Sequence, residues 1–258
     1  MNRIYNLFQN KKRNILNIYF TAGYPSLEST PEIIKHLEKG KVDLVEIGIP
    51  FSDPLADGPT IQDSNRIALQ NGMSLNLLFN QLQDIRKIVS MPLILMGYFN
   101  QVFQYGIEEF CQTCQKVGID GVILPDLPIR EYESCYLPVF RKYELSVILL
   151  IAPNTREERI RIIDRLSDGF IYMVSSASVT GENVLMKANT RDYFRRVEKM
   201  HLKNPRLIGF GISDQESFQR ACQYANGAIV GSAFIRALSE EKPIEKAITG
   251  FLKRIRSE

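Results

Sequence analysis

A chain of 258 residues with a net charge of +3 and 45% apolar side chains has the makings of a globular protein with a sizeable core. The basic clusters Lys11-Lys12-Arg13 and Lys253-Arg254-Ile255-Arg256 carry no interleaved aromatics, so they read as solvated surface and not as a nucleic-acid site. Met1 to Asn10 lacks the apolar core of a signal peptide, and no apolar run approaches the roughly 18 residues of a membrane span, so a cytoplasmic protein is expected.

Short apolar or β-branched runs then recur, and most are followed by a turn and an amphipathic stretch. Ile15 to Phe20 is the first predicted strand and Pro31 to Lys39 the helix after it; Leu44 to Gly48 precedes Leu75 to Ile88, and Leu93 to Met96 precedes Ile107 to Val117. Gly121 to Leu124 pairs in the same way with Arg130 to Tyr143, Val147 to Ile151 with Glu157 to Leu166, and Phe170 to Val174 with Thr190 to Met200. Leu207 to Phe210 is followed by Gln215 to Tyr224, and Ala228 to Val230 is the last strand. Eight strands alternating with helices fit a single-domain (β/α)8 TIM barrel over residues 1–258, with its active site at the carboxyl ends of the strands. An open doubly wound sheet fits less well. Thr21-Ala22-Gly23-Tyr24-Pro25, and no Gly-x-Gly-x-x-Gly, follows the first strand, and no linker divides the chain.

The run Glu46-Ile47-Gly48-Ile49-Pro50-Phe51-Ser52-Asp53-Pro54-Leu55-Ala56-Asp57-Gly58-Pro59-Thr60 places three carboxylates in an apolar, Pro- and Gly-rich setting. Glu46 lies near the end of the second strand and shares a face with Leu44 and Gly48, where desolvation raises a carboxyl pKa toward neutrality and suits it to proton transfer. Asp57 follows eleven residues later in a restricted loop that can lean over the barrel mouth. It serves either as the second member of an acid–base pair or in a turn or helix N-cap before Thr60 to Gln70, while Asp53 reads as a local cap.

After the seventh and eighth strands stand Gly209-Phe210-Gly211-Ile212-Ser213 and Gly231-Ser232-Ala233, at the two positions where barrels commonly bind phosphate. Tyr172, sharing parity with Phe170 and Val174, and Tyr98, after the third strand, either line the pocket or pack the barrel. Ser175 to Lys187 is polar, contains Gly181, and is long enough to close as a lid, a surface excursion being the alternative. Cys111-Gln112-Thr113-Cys114 has metal or redox spacing, but it lies in a helix-like stretch with no second pair. His36 and His201 fall in polar helical segments and are expected at the surface. No lysine ends a predicted strand, which disfavours a Schiff-base aldolase, and no cluster has metal-ligand spacing; proton chemistry without a cofactor is expected.

Glu46 through Gln62 resembles the signature of the tryptophan synthase alpha subunit family over its whole length. Thr21-Ala22-Gly23-Tyr24-Pro25, Asp126-Leu127-Pro128, Ala152-Pro153-Asn154, Val179-Thr180-Gly181 and the two glycine turns extend the resemblance over nearly the whole chain. It implies a (β/α)8 barrel that cleaves indole-3-glycerol phosphate to indole and glyceraldehyde 3-phosphate without metal or cofactor, and passes indole to a beta subunit in an alpha2beta2 assembly. By the same resemblance Glu46 is the proton shuttle and Asp57 stabilises positive charge at the indole nitrogen. Tyr98 and Tyr172 flank the indole, Thr180 positions Asp57 when the lid closes, and Gly181, Phe210, Gly211, Gly231 and Ser232 hold the phosphate. Two departures stand out. Ser176-Ala177-Ser178 replaces an Arg-Ala-Gly found in many members, which bears on lid contacts and coupling to the beta subunit, and Tyr19 replaces a common phenylalanine at the end of the first strand, which bears on the pocket floor. The alternatives are a free-standing indole-3-glycerol phosphate lyase and a catalytically silent phosphosugar-binding regulatory subunit.

Overall fold

All seven residues of the first strand are buried, and so are all five of the second, because helices cover the outside of the sheet while the barrel interior covers the other face. The computed structural model describes residues 2–55, 57–175, 188–209 and 211–256. Its strands are β1 (Ile15–Thr21), β2 (Leu44–Gly48), β3 (Leu93–Met96), β4 (Gly121–Ile123), β5 (Ser146–Val147), β6 (Leu149–Ile151), β7 (Ile171–Val174), β8 (Arg206–Gly209) and β9 (Gly227–Val230). They form one parallel sheet in the order β5-β4-β3-β2-β1-β9-β8-β7-β6.

The two ends of that order are consecutive in the chain, so the sheet curls into a nearly closed barrel. The single strand expected at Val147 to Ile151 is split at Ile148, where the chain changes partner from β4 to β7. Ile148 still donates its N–H to Val122 on the first side, whereas the N–H of Leu149 goes to the Ser167 hydroxyl, which in turn donates to the carbonyl of Phe170. A side chain thus fills the seam where the ladder is interrupted.

The predicted helices are present with small shifts at their ends. Ile107–Val117, Glu157–Leu166 and Gln215–Tyr224 coincide with the expected bounds, and Thr190 to Met200 is found at Ala188–Lys199. Leu75 to Ile88 is broken into Leu75–Leu82 and a turn of 3-10 helix at Ile85–Lys87, and Arg130 to Tyr143 contains a π-helical stretch at Tyr132–Tyr136. Further helices, among them Arg3–Asn10, Phe99–Tyr105, Ser232–Glu240 and Ile244–Arg256, complete the shell.

The first of these closes the amino-terminal end of the barrel. Ile4 and Phe8 are buried beneath the strands, with the Phe8 ring 5.8 Å from that of Phe170. Next to them Asp120 is nearly buried and accepts from Arg3, Arg86 and the N–H of Leu93. That end is plugged and cross-linked, which leaves the carboxyl ends of the strands for a site. Among the described residues no helix is long and apolar enough to cross a membrane.

Candidate active site

Glu46 sits in β2 opposite Tyr19 of β1 on one side and Ile94 of β3 on the other, with none of its surface exposed. The Asn17 side-chain amide, on β1, donates to Glu46 Oε1. Oε2 is buried with no hydrogen-bond partner among the described residues, and the same is true of Asn17 Oδ1. Burial raises the Glu46 pKa to about 8, with the Asn17 hydrogen bond acting in the opposite direction. The expected desolvated carboxyl is present. Asn17 adds a polar group to the site that the apolar run around it conceals; its sequence signal is an amide at the parity of Tyr19 in a fully buried strand.

Asp57 lies in the loop after β2 and is 8% exposed. The cap role does not hold: the helix Pro59–Gln70 begins after Gly58, and no side chain caps it. The backbone holds Asp57 instead, with its N–H on the Pro54 carbonyl and its own carbonyl accepting from Gln62. Asn65 accepts from the N–H of Phe51 and Gln101 donates to the carbonyl of Pro50, so the start of the loop is pinned as well. Among the described residues no side chain is hydrogen-bonded to the Asp57 carboxyl, and burial raises its pKa to about 6. Asp53, by contrast, is exposed and accepts from the Ser52 hydroxyl.

Two phenols stand nearby. Burial raises the pKa values of Tyr19 and Tyr172, and each lies within electrostatic reach of both Glu46 and Asp57. The ring of Tyr19 lies across Gly48 on β2 and that of Tyr172 across Gly209 on β8; a Cβ at either glycine would fall 2.3 Å and 2.2 Å from the respective hydroxyl oxygen. Tyr19 therefore forms a bridge from β1 over the end of β2. Tyr98 is half-buried after β3 and stacks on Phe51 at 4.7 Å between ring centroids, also within electrostatic reach of Tyr19.

The two glycine turns fall at the carboxyl ends of β8 and β9, which are hydrogen-bonded neighbours. Gly211 has φ +74°, a conformation open to glycine and strained for other residues. Gly231 immediately precedes the helix Ser232–Glu240, so Ser232 brings a hydroxyl and a free helix N-terminus to the same end as Glu46. A Cβ on Gly231 would come within 3.3 Å of Tyr19 Cδ1, so the turn closes directly on the phenol that reaches Gly48. Of the expected lid only Ser175, which is buried, is described; Thr180, Gly181, the Ser176-Ala177-Ser178 run and the remainder to residue 187 lie outside the described residues, as does Phe210.

The other candidates fall elsewhere. Cys111 and Cys114 are buried in the helix Ile107–Val117, where burial pushes the first thiol up to about 12 and the second well above its ordinary value. His201 is exposed, but His36 is half-buried between Glu32 and Glu245, against the expectation of a surface position, because the helix Ile244–Arg256 packs beside it.

The model of the family described as tryptophan synthase alpha chain matches residues 5–255. The tryptophan synthase alpha chain of Bacteroides fragilis is 55% identical over 249 residues, covering 96% of this chain and 95% of that protein. The structure of tryptophan synthase subunit alpha from Legionella pneumophila superposes with a TM-score of 0.88 at 33% identity, covering 100% of this chain and 98% of that one. A tryptophan synthase complex from Pyrococcus furiosus gives a TM-score of 0.86 at 32% identity over 96% and 100% of the two chains. With a buried carboxyl pair at the mouth of a barrel that matches these structures along its whole length, the chain belongs to the tryptophan synthase alpha chain family.

Proposed function

We propose that this chain cleaves indole-3-glycerol phosphate to indole and glyceraldehyde 3-phosphate, with Glu46 as the proton shuttle and Asp57 as the charge that stabilises the indole nitrogen. The observation that carries the assignment is the difference between the two carboxyls: at pH 7 a group with a pKa of about 8 holds its proton, and one with a pKa of about 6 has lost it. One fold thus presents an acid and an anion in the same space.

The chemistry needs both. Glu46 gives its proton to indole C3, so that a C–H bond forms as the carboxyl O–H breaks and positive charge moves to the ring nitrogen, where Asp57 offsets it. The carboxylate left on Glu46 then takes the proton of the hydroxyl on the carbon attached to C3. As that carbon becomes the aldehyde of glyceraldehyde 3-phosphate, the electron pair of the carbon–carbon bond returns to the ring, and Glu46 ends the cycle protonated as it began. Every step is a proton or electron-pair transfer.

Tyr98 and Tyr172 provide apolar walls for the indole. Gly211, Gly231 and Ser232, together with Gly181 and Phe210, form the phosphate subsite, in which backbone N–H groups meet the anion; Thr180 orients Asp57. The Pyrococcus furiosus complex supports a tryptophan synthase assembly for this chain as well, with indole passing to a beta subunit in an alpha2beta2 unit. We further propose that residues 1–258 act as one domain and that the enzyme works in the cytoplasm, a setting consistent with four free cysteines.

Indole release from indole-3-glycerol phosphate by the purified chain, with and without a beta subunit, tests the reading. Glu46→Gln and Asp57→Asn are expected to lose at least about a hundredfold in kcat while still binding substrate. A fully active Glu46→Gln enzyme would overturn the mechanism, and equal activity with and without the partner would favour a free-standing lyase.

A further inference from the structure

Asn17 lies in the middle of β1, in register with Leu44 and two residues before the Tyr19–Glu46 pair, so its side chain shares the face of Glu46. None of its surface is exposed. Burying an amide in a strand otherwise made of Ile15, Leu16, Ile18 and Phe20 is costly unless the amide is paired at both ends. Here the amide N–H is paired and the carbonyl oxygen, among the described residues, is not. Among the described residues, the one side-chain hydrogen bond that Asn17 makes is with Glu46.

That interaction distinguishes the two oxygens of Glu46. An oxygen that accepts an N–H is the carbonyl oxygen of a protonated carboxyl group, because the hydroxyl oxygen carries the proton and is the poorer acceptor. We propose that Asn17 is a positioning residue for the lyase reaction, its amide holding Glu46 Oε1 as the acceptor so that the transferable proton resides on Oε2. Oε2 is the oxygen that no protein group occupies among the described residues. After the proton has moved to substrate, the same N–H steadies the carboxylate until the substrate hydroxyl returns a proton to Oε2. No atom of Asn17 is exchanged. The proposal rests on the shuttle role of Glu46 argued above.

Among the described residues, Tyr19 on β1 and Tyr172 on β7 lie within electrostatic reach of Glu46, Asp57 in the loop after β2 acts on both phenols and Tyr98 after β3 acts on Tyr19, while the apolar Ile94 lies opposite Glu46 on β3. Tyr19 and Tyr172 are held protonated by burial and Asp57 titrates near 6, so the alkaline limb of the pH–rate profile is assigned to Glu46.

The test compares pH–rate profiles of the wild type, Asn17→Leu, which keeps the shape of the side chain, and Asn17→Ser, which shortens it. With the donor gone, kcat is expected to fall by about tenfold with KM little changed, and the alkaline limb to move upward by about one pH unit, the size of a hydrogen bond to a charged group. A side chain with only a packing role would lower the melting temperature and leave the limb in place. A folded variant of either kind with an unmoved limb therefore overturns the proposal.

The wild type supplies a readout that needs no folded Asn17 variant. The infrared carbonyl stretch of protonated Glu46, identified by its loss in Glu46→Gln, should lie at the lowered frequency of a hydrogen-bonded carboxylic acid. A stretch at the free-carboxyl frequency overturns the proposal. These failures differ from failure of the underlying reading, which shows itself as activity retained in Glu46→Gln whatever Asn17 does.

Discussion

The hydroxyl of Tyr19 occupies the space above Gly48 in which a side chain on the neighbouring strand would begin, and Tyr172 and Gly209 repeat the relationship on the other side of the barrel. In both pairs the tyrosine lies one strand before the glycine and two residues earlier in register, Tyr19 opposite Glu46 and Tyr172 opposite Leu207. The missing Cβ lets a phenol ring lie across the strand end beside Glu46 instead of pointing up the barrel axis.

Gly48→Ala is therefore expected to behave as an overpacked core variant, destabilised by about 1–3 kcal/mol in denaturant melts. Its Cβ would meet the Tyr19 hydroxyl first and the ring carbons at 2.7 Å and 2.9 Å next. Tyr19→Phe in the same chain should recover part of the loss, and not all of it. A double-mutant cycle that shows simple additivity between positions 19 and 48 would disprove the contact.

The pH dependence of kcat/KM should be bell-shaped. Below about 6 Asp57 takes up a proton and no longer offsets positive charge on the ring, and above about 8 Glu46 has lost the proton it must donate. Burial sets both shifts and neither carboxyl contributes to the other's, so the acid limb belongs to Asp57 and the alkaline limb to Glu46. Steady-state rates between pH 5 and 9.5 provide the check; a profile flat across that range contradicts the assignment.

Stability should carry the signature of Glu46 independently of catalysis. Its folded pKa of about 8 lies above the ordinary value of 4.5, so the folded state holds the proton more tightly than the unfolded chain does. The stability due to this group is fully present below 4.5 and is lost as pH rises through 8. Glu46→Gln removes the ionisable group, and it should be more stable than the wild type by a few kcal/mol near pH 8, on the order expected for a buried carboxyl, with little difference near pH 4. Urea melts at the two pH values measure this; equal gains at both would exclude a buried, raised carboxyl at position 46.

At the opposite end of the barrel the charge network should matter for stability alone. Asp120 is 3% exposed and binds Arg3, Arg86 and the N–H of Leu93 together. Asp120→Ala takes the acceptor from the buried N–H of Leu93 and from one arm of the half-buried Arg86, and is expected to cost about 3–5 kcal/mol. The fraction that remains folded at low temperature should keep the wild-type KM. A raised KM with unchanged melting behaviour would be the reverse of what this position implies.

Thiol chemistry gives a simple solvent test of the helix Ile107–Val117. Cys135 is exposed, whereas Cys111, Cys114 and Cys222 are buried with raised pKa values. A thiol-specific dye should label one cysteine quickly in the native protein, and Cys135→Ser should abolish that phase. Rapid modification of Cys111 or Cys114 would show that this helix is not packed as described.

Much of this molecule follows from local pattern. The strand runs are apolar because a parallel sheet covered on both faces has no polar side, so their order and bounds were readable one after another, and Glu46 stood out as a charge where none belonged. The helix Arg3–Asn10, which plugs the barrel, was not readable in the same way, since its burial depends on the Phe170 end of a strand some 160 residues away. The choice between cap and catalytic group at Asp57 was likewise open until the helix was seen to start after Gly58, with Pro54 and Gln62 holding the aspartate by its backbone.

The sequence by itself determined that a desolvated carboxyl would stand near the mouth of an eight-unit barrel beside two glycine turns, because composition, period and turn chemistry are properties of neighbours along the chain. Only the tertiary structure decided what surrounds that carboxyl. Asn17 meets Glu46 across 29 positions, and Tyr19 finds its place through glycines on β2 and after β9. Strand register sets such contacts, and register is a property of paired strands that no single strand carries.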